Sequence, residues 1–167
     1  MSQQKQSKAF RSALGRFATG VTVITTRDAQ GKLYGLTANS FNSVSLDPPM
    51  VVWSLSRNAP SLPAFTRATH YAINVLGADQ VDLSQRFATP QDDKFAGIAW
   101  RPGRSGVPVL DGCLAHFECR NSRCHDGGDH LLFLGGVEAY AEREGEPLLF
   151  VGGRYGVATD HPAQMAS

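Results

Sequence analysis

The sequence predicts a mainly β domain, an antiparallel barrel with a few short helices. About seven short segments rich in β-branched and aromatic residues recur along the chain. Turn residues, rather than helices, separate most neighbouring segments. Strands joined by short turns pair antiparallel, and in this sequence such hairpins outnumber βαβ units. The pattern therefore favours a closed antiparallel barrel over a doubly wound parallel sheet.

The strand prediction depends on short apolar runs bounded by turn chemistry. Asp28 and Gly31 mark the turn of a first hairpin, and Pro48 and Pro49 interrupt the chain before the next strand. A turn at residues 126–128 joins two later strands. The predicted strands are residues 21–26, 33–40, 50–55, 71–76, 114–120, 131–140 and 147–151.

Three short helices are predicted around these strands. Phe10, Leu14 and Phe17 recur at i, i+4 and i+7, which indicates an amphipathic helix that lies across one end of the core and ends at Gly20. A second helix is expected to start at Pro60 and continue to residue 67. A third helix has Asp79 as its N-cap and continues to residue 87. Residues 89–108 are predicted as a long surface excursion.

Composition sets the broad class. The chain has 167 residues, 42% of them hydrophobic, and a formal net charge of +1. We expect a flexible leader at residues 1–9, one domain at 10–157 and a tail at 158–167. The balanced charge offers no electrostatic case for binding nucleic acid or an anionic membrane.

Location and metal content are predicted from what the sequence lacks. There is no apolar stretch of about 20 residues and no N-terminal apolar segment, so we expect a cytoplasmic protein that does not bind membranes. Three cysteines without an export signal indicate free thiols. Cys119 and Cys124 lack the second ligand pair that a structural zinc site needs, so no metal is predicted.

Familiar nucleotide-binding and hydrolase motifs are missing. The sequence contains neither the glycine fingerprint of the Rossmann fold, nor a phosphate-binding P-loop, nor a G-x-S-x-G elbow. If the protein binds a nucleotide, it does so by another route.

Four segments carry polar groups where a strand or helix ends. Residues 35–49 crowd hydroxyls and amides at a strand end, either as a polar outward face or as partners for a ring with carbonyls and ring nitrogens, such as an isoalloxazine. Residues 54–61 fit either ordinary helix capping or an anionic ligand, which Arg57 would help to bind. Arg86 beside Phe87, and His130 after a glycine turn, are each open to a structural or a ligand-binding interpretation.

Taken in order, these segments resemble the flavin reductase domain family, the short-chain reductase components of two-component flavin monooxygenases. The resemblance covers about residues 10–157. The matching pieces are residues 10–23, GLTANSF (35–41), SVSLDPP (43–49), NVL (74–76), RFA (86–88), DKF (93–95), GDH (128–130) and PLLF (147–150).

The resemblance implies an FMN-binding split β-barrel, antiparallel and Greek-key-like, that forms a homodimer with the flavin in a groove near the subunit interface. The residues implied to line the isoalloxazine and ribityl chain are Thr37, Ala38, Asn39 and Ser40. Those implied at the ribityl phosphate region are Ser54, Leu55, Ser56 and Ser61. Arg86 and Phe87 are implied at the phosphate, or at the adenine if FAD binds. His130 and Tyr155 are implied near the flavin face where a nicotinamide stacks.

The function implied is the reduction of FMN or FAD by NADH or NADPH. The reduced flavin then diffuses to a partner monooxygenase. Hydride transfer between these cofactors needs no protein acid or base, which agrees with the lack of paired carboxylates. His130 and Tyr155 would therefore position the nicotinamide and the flavin. Two alternatives stay open: a tightly bound flavin that serves another acceptor such as ferric complexes, and a non-enzymatic flavin carrier or sensor.

Overall fold

Strands make up most of the structure, a computed structural model that describes residues 3–161 and 163. The helices are α1 (Gln3–Leu14), α2 (Leu62–Arg67) and α3 (Val81–Ala88). The strands are β1 (Thr19–Gly20), β2 (Thr22–Arg27), β3 (Leu33–Ala38), β4 (Asn42–Leu46), β5 (Pro49–Ser56), β6 (His70–Val75), β7 (Trp100–Pro102), β8 (Pro108–Leu110), β9 (Ala115–Gly127), β10 (His130–Glu142), β11 (Leu148–Val151) and β12 (Arg154–Val157).

Seven strands form one antiparallel sheet in the order β3-β2-β6-β9-β10-β5-β4. A small sheet has the order β1-β11-β12, and β7 pairs with β8. Within the described residues no ladder joins the edge strands β3 and β4, so the sheet is split rather than fully closed. The predicted split β-barrel is thus confirmed, and the expectation of full closure is wrong.

The core of the large sheet is built on the alternation of β5. Val51, Trp53 and Leu55 are buried, and the residues between them are half-buried. The Trp53 ring stacks on Phe133 at 4.5 Å between centroids, and Phe65 meets it edge-on at 5.1 Å. Phe65 thereby attaches α2 to the sheet.

A second core cluster holds α3 and the small sheet against β2 and β3. Phe87 on α3 is fully buried, together with Leu76 and Leu148. Gly35 on β3 makes room for this packing, since a Cβ at that position would lie 2.7 Å from Cδ1 of Phe87. The absence of a side chain at Gly35 therefore lets α3 lie directly on β3.

The long β9–β10 hairpin ends in a tight turn. Gly128 has a φ of +81°, which fits a two-residue turn with glycine at its first central position. The turn fixes the register, so His130 pairs with Gly127 on one side and with Ser56 of β5 on the other. His130 is thus held at a defined place beside β5.

The first helix differs from its prediction. It covers Gln3–Leu14, and Gly20 lies in β1 instead of ending the helix. The side chains of Phe10, Leu14 and Phe17 are 65%, 57% and 75% exposed, so they do not cover the core of this chain. The predicted helix exists and includes Phe10 and Leu14, but Phe17 lies beyond its end. The 3.6-residue period carries no information on what an apolar helix face contacts.

Other predicted boundaries are also corrected. Helix α2 begins at Leu62 rather than Pro60, with Ser61 as its N-cap. The N-cap of α3 is Gln80, whose side chain accepts a hydrogen bond from the backbone of Gly77, and not Asp79. The strands β4, β7, β8 and β12 were not predicted, because short edge strands with few β-branched residues give a weak pattern. No helix in residues 3–161 is long and apolar enough to cross a membrane.

Candidate functional site

A cavity of about 460 Å³ opens between β3, the loop that follows β5, and the segment after α3. Four of the predicted site residues line it: Thr37, Leu55, Ser61 and Phe87. They come from three separate parts of the sequence, so only folding brings them together. We call this space the flavin cavity for the ligand that the sequence predicts.

The aromatic wall of the flavin cavity is rigid. Phe87 packs edge-on against Phe95, with ring centroids 5.1 Å apart, and both rings lie in the second core cluster. Leu36 and Leu55 add aliphatic surface to the lining. A planar, largely apolar ring system would find complementary surface here.

Thr37 is connected to α3 by its hydroxyl. Its Oγ1 donates to the carbonyl oxygen of Ser84 at 2.6 Å. The hydroxyl of Ser84 in turn lies 2.9 Å from the hydroxyl of Tyr155. Tyr155, predicted near the nicotinamide, is therefore bound to α3 and does not line the flavin cavity.

The three predicted residues that follow Thr37 lie in different surroundings from one another and do not line the flavin cavity. Ala38 is buried, and its carbonyl oxygen accepts a hydrogen bond from Thr22 at 2.7 Å. Asn39 is exposed. The Ser40 hydroxyl accepts from the backbone N–H of Ser54 at 3.0 Å and donates to its carbonyl oxygen at 3.1 Å. Ser40 thus holds the chain beside β5, and the contact of Asn39 with a flavin stays a prediction.

Arg86 fastens the loop after α3. Its Nε donates to the carbonyl oxygen of Lys94 at 2.7 Å, and one terminal nitrogen donates to that of Ala96 at 2.6 Å. The carboxylate of Asp93 accepts from the backbone of Phe95 at 2.9 Å. Arg86 does not line the flavin cavity, so its contact with a phosphate stays a prediction.

Lys94 is a site candidate that the sequence interpretation missed. It lines the flavin cavity, and its Nζ donates to the carbonyl oxygen of Phe87 at 2.6 Å. Burial lowers the pKa of this ammonium group from its ordinary value. Lys94 belongs to the DKF segment of the family resemblance, and its position after a helix that carries a site residue is a signal that could have indicated an anion ligand.

A second group of predicted residues lies on the β5–β10 pair. Ser54 stands opposite Leu132, and Ser56 stands opposite His130. The Nδ1 of His130 lies 2.7 Å from Oδ1 of Asp129. Since a carboxylate only accepts, Nδ1–H is the donor, and the ring's Nε2 is left for a ligand. This hydrogen bond is the largest cause of the lowered pKa of Asp129.

Arg57 links the two groups. It was interpreted as part of an anion site, but its guanidinium lies 2.9 Å from Oδ1 of Asp126 and its Nε donates to the carbonyl oxygen of Gly128 at 2.8 Å. Its backbone N–H donates to the carbonyl oxygen of Asp129 at 2.9 Å. The loop that carries Ser61 is thereby attached to the turn that carries His130.

Comparison with known proteins identifies the family of this chain. The profile of the flavin reductase like domain matches residues 14–159. The chain belongs to the flavin reductase family. Members of this family are oxidoreductases, so the predicted family and the predicted flavin reductase function are both confirmed.

Individual relatives support the family at high coverage. The chain is 50% identical to the FMN reductase (NADH) SmoA of Agrobacterium fabrum over 91% of its length and 86% of that protein. It is 41% identical to HsaB of Mycobacterium tuberculosis, the reductase subunit of a flavin-dependent monooxygenase, over 93% of its length and 84% of that protein.

A solved relative has the same fold as this flavin reductase. The structure of nitrilotriacetate monooxygenase component B from Mycobacterium thermoresistibile matches with a TM-score of 0.92 and 39% identity. The match covers 98% of this chain and 94% of that one. The split barrel described above is therefore the fold of the family.

Proposed function

We propose that this flavin reductase binds FMN or FAD in the flavin cavity, reduces it with NADH, and releases it to a partner monooxygenase. The observation that carries the proposal is the convergence of Thr37, Ser61, Phe87 and Lys94 on one cavity. NADH is proposed over NADPH because the relative SmoA is named for NADH. A monooxygenase partner is proposed because HsaB is a reductase subunit of such an enzyme.

The chemistry of the cavity fits a flavin. Its volume falls within the range of about 300–1,000 Å³ that is usual for small-molecule sites. Leu36 and Leu55 provide apolar surface for a fused ring, and the fully buried Phe87 forms part of the packed core beside the cavity. The hydroxyl of Ser61 and the ammonium of Lys94 provide a polar and positively charged region for a ribityl phosphate.

The protein's own residues bind and orient the reactants. A bound flavin supplies the hydride acceptor, so the chain needs no general acid or base. Leu36 and Leu55 would exclude water from one side of a bound ring, and Lys94 would neutralise charge on the nucleotide. Arg57 holds the turn that carries His130, whose Nε2 would be free to contact a nicotinamide nucleotide. Tyr155 would influence the same nucleotide only indirectly, through its hydrogen bond to Ser84 on α3.

A homodimer is part of the proposal. Large apolar side chains are exposed on α1, on the β4–β5 hairpin and on β10, among them Phe10 (65%), Leu46 (93%) and Tyr140 (72%). A second copy of the chain would remove this surface from water. Sedimentation should give twice the chain mass of 18.0 kDa. A monomer that still binds flavin would contradict the dimer.

The decisive assay follows NADH and NADPH oxidation by purified protein, with and without added riboflavin, FMN and FAD. Turnover that requires added flavin supports the proposal and ranks the flavins. A tightly held flavin that does not exchange would instead support an enzyme acting on another acceptor. Flavin binding without any turnover would support a carrier or sensor.

A further inference from the structure

A second cavity adjoins the flavin cavity. It has a volume of about 510 Å³ and lies between α2 and the β2–β3 turn. Tyr34 and Pro60 line both cavities, so the two spaces meet at these residues. A ligand that fills the flavin cavity would reach the second cavity at this junction.

The second cavity contains two arginines without protein acceptors. Within residues 3–161, neither Arg27 nor Arg67 takes part in an ion pair or a side-chain hydrogen bond. The carboxylate of Asp28, the only acidic group in the lining, already accepts from the hydroxyl of Tyr34 at 3.1 Å and from the backbone of Lys32 at 2.9 Å. His70 also lines the cavity, and its Nε2 lies 3.3 Å from Oε2 of Glu138. The two guanidinium groups are therefore left to bind an anion.

The charged groups stand beside an apolar wall. Pro63, Ala64 and Ala68 line the side formed by α2, and Val107 lines another part. Such a surface suits a flat heterocycle, while the guanidinium groups suit phosphate oxygens, to which arginine can donate two hydrogen bonds. An isolated phosphate would use the arginines and leave the apolar wall uncovered.

We propose that the second cavity binds the ADP moiety of a dinucleotide, with Arg27 and Arg67 at the diphosphate and the α2 wall at the adenine. The proposal rests on the function proposed above, since both FAD and NADH contain this group. If FAD is the source, its flavin end lies in the flavin cavity and its diphosphate passes Tyr34 and Pro60. The chain would then prefer FAD to FMN.

The test measures binding without turnover. Purified full-length chain, freed of flavin, is titrated with riboflavin, FMN and FAD by flavin fluorescence, and ADP is added as a competitor. The variants are Arg27→Gln and Arg67→Gln. The matched control is Arg123→Gln, an exposed arginine that lines neither of the two cavities. If FAD supplies the ADP moiety, ADP is expected to displace FAD and not riboflavin.

The two sources of the ADP moiety give different results. If FAD supplies it, each variant weakens FAD binding by about tenfold, the loss of one charged hydrogen bond, and leaves FMN within twofold. If NADH supplies it, flavin binding is unchanged and the KM for NADH rises by about tenfold with riboflavin as acceptor.

Other results overturn the proposal. Equal weakening of FMN and FAD would mean that the arginines support the flavin cavity in general. Unchanged binding of FAD together with an unchanged KM for NADH would leave the second cavity without this ligand. Because the titrations do not depend on catalysis, loss of NADH oxidation with intact FAD discrimination would refute only the proposed function.

Discussion

The guanidinium of Arg57 lies 2.9 Å from the carboxylate of Asp126, across the gap between the β5 loop and the tip of the β9–β10 hairpin. The side chains are 42% and 77% exposed, so solvent screens the ion pair and it contributes little to stability. Its significance is positional, because the same arginine also holds the backbone of the turn before His130.

Arg57→Gln should therefore impair use of the nicotinamide nucleotide more than folding. We expect the KM for NADH to rise by about three- to tenfold while the melting temperature changes little. Asp126→Asn serves as the matched variant, since it removes the ion pair from the other side. Steady-state kinetics and thermal unfolding check both variants and the double variant. Additive effects of the two substitutions would contradict a shared positioning role.

Gly35→Ala tests how the wall of the flavin cavity is made. The new Cβ would meet the fully buried ring of Phe87, which has no room to move within its core cluster. We expect a loss of about 1–3 kcal/mol in the free energy of unfolding and weaker flavin binding. Gly20→Ala is the control, because a Cβ there has no atom within 4 Å. Equal stability of the two variants in denaturant titrations would show that α3 does not press on β3.

Lys94 gives a pH dependence with a definite sign. Burial lowers its pKa in the folded protein below the ordinary value of 10.5, so its positive charge is lost earlier as the pH rises. The affinity for FMN should accordingly be highest below the lowered pKa of Lys94 and fall as the pH rises through it. Lys94→Gln should weaken FMN binding by about tenfold at neutral pH.

Lys94→Arg is the matched control for this effect, since a guanidinium keeps its charge over the whole range. Flavin titrations across alkaline pH should show an earlier decline for the wild type than for Lys94→Arg. Identical pH profiles for the two proteins would exclude Lys94 as the group that titrates. The affinity for riboflavin, which has no phosphate, should change little in either variant.

Much of the fold was readable from the sequence because local patterns decide it. The β-branched run at Thr22–Arg27 and the alternation around Trp53 predict buried strands directly. The partner of the apolar face of α1 could not be predicted, since Phe10 and Leu14 give the same pattern whether they cover their own core or another surface.

The site was readable in part for a similar reason. The types and order of residues identified the family, but they did not show which polar groups are already engaged. Arg86 donates to backbone carbonyl oxygens, and Arg57 pairs with an acid far along the chain. Such partners are set by tertiary structure, as is the hydrogen bond between the hydroxyls of Tyr155 and Ser84. Lys94 was missed because its one local signal, a position after a helix that carries a site residue, is shared by solvated lysines.

His130→Ala separates the two halves of the proposed site. His130 lies beside Ser56 on the β5–β10 pair and does not line the flavin cavity, so its loss should spare flavin affinity. We expect kcat/KM for NADH to fall by at least about tenfold, with the Kd for FMN within twofold of the wild type. Tyr155→Phe is the companion variant. It removes only the hydroxyl bound to Ser84 and should cost about 1 kcal/mol of stability. Stopped-flow reduction measures the use of NADH, and fluorescence titration measures the binding of FMN. If His130→Ala weakened FMN binding as much as NADH use, the histidine would belong to the flavin site and the division proposed here would be wrong.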